Sequence, residues 1–531
     1  MRVLYPEEEN QIMSEISKIN NRRIARNTVF LYVRMILILL VTLYTSRVVL
    51  AVLGVEDYGI YNVVGGVVAM FAFLSNSMAT ATQRFLTFEL GRGDAERLRK
   101  VFSAAVHIHL AIAVAVVLLA ETAGLWLLEE KLVISPERMN AARWVYQFSV
   151  AAFFVNVIQV PYNAVIIAHE KMSVYAYVSV AEVVAKLVLV FGLTVVPFDK
   201  LVAYGAFMLS LQVTVRVFYQ IWCSRRYEEC KIAPVGDRSL YREMSVFASW
   251  NIFGSLAWVM KDQGLNVVLN LFFGTAVNAA RGVAAQVSTS VYGFVSNFQL
   301  AMNPQITKNY AQGEIREMEN LVFRGLKFSF LLLFFIALPL LLNVDAVLSV
   351  WLKDVPDHTS AFIVLIIADT LTGTLFGSPL MTSIAATGRI KSYQMVVSGI
   401  ILMVIPASYL LLKAGFQPES VFCAAILFTL LSGVARFLFA RSQIGFSLRR
   451  YLKEVILRVL GLLVLSLPLP LALRYLVFEE DSVLSFFMLC AVSVLCVAAS
   501  AWAVLLDSGE RSGVRKICWS RVERIFKRKE V

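Results

Sequence analysis

The chain has 531 residues, 59% hydrophobic and 16% charged, whereas soluble domains are nearer half apolar and a quarter charged. Apolar runs long enough to cross a hydrocarbon layer of ~30 Å recur from end to end, without the short alternating segments of a membrane barrel. The net charge of +12 does not mark a nucleic-acid partner, because the basic residues fall mostly in alternate loops, as in helices inserted under the positive-inside rule. The expected class is an all-α polytopic membrane protein.

In chain order, residues 1–26 form a polar segment with Glu7, Glu8 and Glu9, then Arg22, Arg23 and Arg26 just before the first apolar run. A signal peptide's short apolar core and cleavage site are not seen, so the first span is expected to be a retained anchor. Candidate spans are 27–50, 58–82, 101–127, 141–168, 174–196, 201–223, 244–272, 278–303, 324–344, 358–386, 391–412, 418–440, 452–475 and 483–506, fourteen in all. They divide into an N-lobe at 27–223, a linker at 224–243, a C-lobe at 244–440, two accessory helices at 452–506 and a basic tail at 507–531. The tail has Val514, Ile517, Val522 and Ile525 at rough helical spacing among Lys and Arg, which suits a helix lying on an anionic leaflet or docking on a partner. Leu467-Pro468-Leu469-Pro470 predicts a kink in the thirteenth span.

Residues 27–94 and 247–314 form a gapless repeat at an offset of 220. Seven residues match across it: Val48, Gly54, Val63, Val67, Ala81, Thr87 and Gly93. Each copy runs through an apolar segment, a glycine turn (Gly54, Gly274), a second apolar segment and a short polar close. Six spans separate the two starts, so both copies enter the membrane from one side, as parallel repeats about an axis along the membrane normal. Two six-helix lobes plus two accessory C-terminal helices follow. The loops sort by charge: Arg92, Arg97, Arg99, Lys100, Arg225 and Arg226 on one side, Glu56, Asp57, Glu129, Glu130, Asp345 and Glu479 on the other. The basic side holds both termini and is expected to be cytoplasmic.

Ionisable groups inside a bilayer are functional hypotheses by default. Arg34 lies about two turns into the first span, and Arg47 near its other end, where snorkelling is the competing reading. Lys261 and Asp262 sit mid-span and are read either as a structural ion pair or as members of a polar cavity. Asn266 and Asn270 extend Asp262 at i+4 and i+8 into one stripe. Arg281 opens the eighth span, and Asn297 lies further along it. Glu182 and Lys186 form an i,i+4 pair that reads as self-neutralised. Asp369 has no local partner, and either pairs with a distant base or binds a proton or cation. Arg216 and Arg436 read as snorkelling to the near surface. The six cysteines and four histidines lack metal or disulfide spacing. No GxGxxG, P-loop, HExxH or GxSxG is present, so neither a cofactor nor an enzymatic activity is expected.

The run Leu53-Gly54-Val55-Glu56-Asp57-Tyr58-Gly59-Ile60-Tyr61, with Gln83-Arg84-Phe85 and Gly91-Arg92-Gly93-Asp94, resembles the start of the Wzx-type polysaccharide flippases. These belong to the MOP superfamily, with the MATE multidrug exporters and the lipid II flippase. Phe273-Gly274 through Asn303-Pro304 to Gly313-Glu314 resembles the corresponding second-lobe region. Ala279-Ala280-Arg281 departs from the Gly-x-Tyr common there. The resemblance covers roughly residues 25–505 and implies alternating access around a central cavity. It further implies movement of an undecaprenyl-diphosphate-linked oligosaccharide from the inner to the outer leaflet of a bacterial inner membrane, for surface polysaccharide assembly. Arg34, Arg47, Lys261 and Arg281 are the cations here that suit such a cargo, Asp262, Asn266, Asn270 and Asn297 its polar surroundings. Asp369 and Glu182 are candidates for coupling to H⁺ or Na⁺. Membrane lipids, a polysaccharide polymerase and glycosyltransferases are the partners implied. A cation-coupled drug exporter of the same fold is the competing expectation.

Overall fold

The computed structural model describes residues 6–69, 72–130, 134–352, 355–477, 483–512 and 515, the side chains of 6–25 and of Arg47 and a few others excepted. Most of the tail read as amphipathic, 516–531, therefore lies outside the described residues. Among the described residues there is no strand, and ten helices are long and apolar enough to cross a membrane. The limbs flanking Gly54 and Gly274 are not among those ten, and they are the ones that carry Arg34, Lys261, Asp262 and Arg281.

Two composite helices, Pro6–Ala69 and Arg238–Ala311, are interrupted at Gly54 (φ 81°, ψ 171°) and Gly274 (φ 75°, ψ −165°). Only glycine reaches that backbone region without strain, so the matched glycines break both helices at the same place. Gly93 (φ 74°) and Gly313 (φ 78°) repeat the pattern where each copy ends. After Gly93, the Asp94 carboxylate caps the next helix by accepting from the Arg97 backbone N–H at 2.9 Å. The offset continues beyond the predicted copies. Ala95 and Ile315, Met139 and Thr359, and Lys200 and Ser420 open matching helices 220 residues apart.

The residues sort into two compact units. The first comprises Met1–Ala257, Leu300–Met318 and Ala385–Met395. Its core joins Ile60, Val64, Leu128, Val145, Tyr146 and Leu201, and the Tyr146 hydroxyl donates to the Ala120 carbonyl at 2.6 Å, so this buried hydroxyl is satisfied. Arg138 clamps one end of this unit, with Nη2 at 2.6 Å from Asp57 and Nη1 at 2.5 Å from Asp199.

The second unit comprises Trp258–Gln299, Glu319–Ile384 and Val396–Val531. Its main core includes Leu265, Leu269, Ala280, Phe362, Ile367 and Phe422. The accessory helices share a second core with the Ile315–Leu342 helix through Phe330, Phe334, Val459, Leu462, Leu489 and Val497. The kink at the prolines appears as a break between Leu457–Ser466 and Pro468–Leu476. His358 and Glu419, paired at 2.5 Å, stand 220 residues after Arg138 and Asp199. The second repeat thus keeps the clamp and exchanges its guanidinium for an imidazole.

Candidate substrate site

The break at Gly274 decides where the polar groups of the second unit meet. Lys261, Asp262 and Asn266 lie on the limb before it, and Arg281 on the limb after it. With the helix interrupted, Arg281 reaches back across the break. Its Nη2 donates to the Asp262 carbonyl at 2.9 Å and to the Asp262 carboxylate, while Nη1 donates to Asn266 Oδ1. The Arg281 residue is 5% exposed, which a guanidinium tolerates only when paired. Gln263 extends the network, donating to Asp262 Oδ2 at 3.2 Å and accepting from Asn266 at 3.3 Å.

Lys261 points to a different element. Its Nζ is 3.4 Å from Asp369 Oδ2, on the Thr359–Leu375 helix. The other Asp369 oxygen is buried and has no hydrogen-bond partner. Beside it Thr370 donates to the Ile366 carbonyl at 2.7 Å, which leaves its oxygen to accept from Ser288 at 2.9 Å. Two cations and two carboxylates therefore share the network, and their formal charges cancel. Each base of this network finds an acid on another turn or helix.

In the first unit Arg34 occupies a separate cluster. Its guanidinium lies 4.5 Å from the centroid of the Tyr175 ring and donates to the Tyr175 hydroxyl at 3.5 Å, with Nε buried and unpartnered. Glu182, on the same Met172–Gly192 helix as Tyr175, accepts from Gln212 at 3.0 Å. Arg34 and Lys186 are both within electrostatic reach of that carboxylate. Lys186 is not in ion-pair contact with it, so the local pair read from spacing is replaced by a hydrogen bond to a neighbouring helix. Arg216 stacks on the Tyr162 ring at 4.4 Å, and Arg436 donates to the Phe376 carbonyl at 3.2 Å. Both are held by protein.

The structure brings together Lys261 with Asp369, and Asp262 with Asn266 and Arg281. Asn270 is exposed on the first limb. Asn297 donates back to the Gly293 carbonyl of its own helix at 2.8 Å. The Arg47 side chain lies outside the described residues.

Outside the spans, two carboxylates lie below the usual range. Burial raises Asp199, but the Arg138 hydrogen bond and the Val202 and Leu201 N–H groups outweigh it. Burial likewise raises Glu229, but the hydrogen bond from His169, 2.5 Å away, brings it down on balance. Sequence reasoning missed Arg138; its one signal was the Glu56-Asp57 pair set immediately after a glycine turn.

No family model and no curated protein matches this chain. Several solved structures do. A multidrug resistance MATE family transporter of the MOP superfamily, in an outward-facing conformation, aligns at TM-score 0.67 and 14% identity. A MATE transporter in the bent conformation aligns at 0.69 and 14%. A MOP superfamily transporter from Pyrococcus furiosus, for which the reverse polarity of its binding pocket suggests a different function, aligns at 0.68 and 14%. Each alignment covers 80% of this chain and 96% of the other. The chain therefore has the fold of MATE and MOP-superfamily transporters.

Proposed function

We propose that this protein is a flippase of the bacterial inner membrane, with both termini cytoplasmic. Its cargo is an undecaprenyl-diphosphate-linked oligosaccharide, moved from the inner to the outer leaflet by alternating access of lobes 27–223 and 244–440. The observation that carries this reading is the charged, hydrogen-bonded network of Lys261, Asp262, Asn266, Arg281 and Asp369, set between the two limbs flanking Gly274 and the Thr359–Leu375 helix of a membrane fold.

A sugar diphosphate loses its water hydrogen bonds on entering hydrocarbon, at a cost of several kcal/mol for each group left bare. Guanidinium and ammonium groups replace those bonds at phosphate oxygens, and the amides of Gln263, Asn266 and Asn270 serve sugar hydroxyls. Arg34, with an unpartnered buried Nε, is the matching cation of the first repeat. The lipid tail remains in the bilayer throughout. Because Lys261 rests on Asp369, an incoming phosphate competes with that carboxylate, and Asp369 is then poised to take up a proton or cation. This gives Asp369 the coupling role; Glu182 takes the equivalent place beside Arg34.

The carboxylates of the same network favour a second reading, export of a cationic small molecule, and the MATE exporters share the fold. Reconstituted protein decides between them. With a lipid-linked diphosphate oligosaccharide in proteoliposomes, K261A and R34A should each cut flipping at least tenfold, the loss expected for one or two charge-assisted hydrogen bonds. Flipping at the unmodified rate in both variants would sink the assignment, and counterflow of organic cations alone would establish the second reading.

A further inference from the structure

Within the first unit, residues of both repeats meet at the end of the helices where the basic loops lie. One core of the first unit draws on residues 60–201, and one of the second on residues 265–425. Apolar contact across the repeats in the first unit includes a cluster of Leu31, Met172 and Ala301 and two ring pairs, Phe85 with Phe247 and Phe88 with Tyr310. Charged and backbone groups meet beside them.

Three such contacts are seen. Arg84, 8% exposed, donates from Nε to the Ala385 carbonyl at 3.1 Å and from Nη2 to the Ala386 carbonyl at 2.8 Å. Those carbonyls end the Ser378–Ala386 helix, whose partial negative charge suits a cation. The guanidinium also lies over Phe85, Phe88 and Phe247 at 4.5, 4.9 and 5.3 Å. The turn is fitted to it, because a Cβ at Gly388 would sit 3.0 Å from Nη2. Lys308 pairs with Glu170 at 2.7 Å, the Glu170 side chain being 2% exposed. Finally, a Cβ on Gly91 would lie 2.8 Å from the Ala311 Cβ and 3.1 Å from the Lys308 backbone, so two helices touch there without side chains between them.

The buried ion pair and the Arg84 contacts add little net stability against their desolvation, so permanence is not what they supply to the junction. Charged groups on carbonyls and carboxylates exchange their partners for water when separated, at small net cost. We propose that Arg84 on the 385–386 carbonyls and Lys308 on Glu170 form a latch. It holds the basic ends of the two repeats together in one state of the cycle and releases them in the other. The proposal rests on the alternating-access reading above but not on the identity of the cargo.

The test uses the full chain in detergent with Ser77→Cys as reporter. Ser77 is 3% exposed and its hydroxyl donates to Ser255 at 2.8 Å, on the second repeat's side of the same junction. Alkylation by a water-soluble maleimide is compared with the chain lacking the added thiol. Arg84→Gln and Glu170→Gln should each raise the rate by about tenfold, the shift from losing one charge-assisted hydrogen bond, with Arg84→Lys in between. An unchanged rate in both variants, eluting as monodisperse protein, overturns the latch. Independently, oxidation of a Ser77→Cys, Ser255→Cys pair, at positions whose hydroxyls are 2.8 Å apart, should stop flipping and a reductant restore it. Full flipping in the cross-linked protein shows a permanent contact and overturns the proposal. If alkylation responds and no lipid-linked oligosaccharide moves in any variant, the latch stands and the assigned cargo falls.

Discussion

Single side chains here are legible from sequence only when their partner is a helical turn away. His169 and Glu229 are 60 residues apart and the ring of His169 stacks on Tyr227 at 4.0 Å, a cluster no local pattern announces. It has a measurable signature. The Glu229 carboxyl is buried, which raises it, but the hydrogen bond from His169 leaves it below its ordinary range in the folded protein. A depressed carboxylate stabilises the fold above the usual carboxylate range, and that contribution is lost as pH falls through the lowered value. Thermal unfolding followed across the acid limb should therefore show E229Q losing less stability than the unmodified chain. The difference should be about 1 kcal/mol, the worth of one hydrogen bond to a charged group that is partly solvated. Parallel curves for the two proteins would mean that the His169 contact carries no linkage. The same blindness to distance applies at the candidate site. Lys261 and Asp369 were both singled out, yet their pairing spans 108 residues and needed the fold to be seen.

Glycines make the elements readable. Identity between the two copies is low, but hydropathy with Gly54 and Gly274 at one offset was enough to place both breaks, and their left-handed φ values supply the physical cause. What sequence could not supply was the reach of the repeat. Past Asp94 the matching helices share no residues distinctive enough to align, so Arg138 with Asp199 and its counterpart His358 with Glu419 emerge only as geometry. Several predicted spans were also shorter than the helices, because polar turns extend helices beyond the hydrocarbon; the limb before Gly274 begins at Arg238, six residues ahead of the predicted 244. The two breaks are open to a direct test. Gly274→Ala puts a Cβ on a backbone that only glycine adopts, at a cost of about 1–3 kcal/mol. If the helix instead straightens, Arg281 can no longer reach Asp262 and Asn266. A buried guanidinium then loses its partners, so the second outcome should abolish transport as well as lower stability. Gly54→Ala, whose limbs carry no corresponding bridge among the described residues, should lower stability alone. Equal loss of transport in both variants would show that the break itself, and not the Arg281 bridge, is what function requires.

At the scale of the whole molecule the fold leaves the cargo open, since one architecture hosts different functions on different site residues. The charge balance of the second unit offers a way to decide. Empty, its network of Lys261, Arg281, Asp262 and Asp369 is formally neutral, so the unloaded step carries no charge on these groups through the field. Loaded, the charge that moves is that of the cargo. An interior-negative potential favours outward movement of an anion by up to ~2.3 kcal/mol per charge for each 100 mV, and opposes outward movement of a cation by as much. A diphosphate-linked oligosaccharide should therefore flip faster as a potassium-diffusion potential is raised in proteoliposomes. The acceleration should reach about tenfold per 100 mV even if little more than half of one charge crosses the field. A cationic drug would show the reverse dependence. Asp369→Asn sharpens the comparison, because Lys261 then has no carboxylate to return to and the empty network becomes positive. Its unloaded step should now respond to voltage, and binding of the diphosphate should tighten while turnover slows. Voltage-independent flipping in the unmodified chain, with no change on D369N, would exclude Lys261 and Asp369 as the pair that exchanges partners with the cargo.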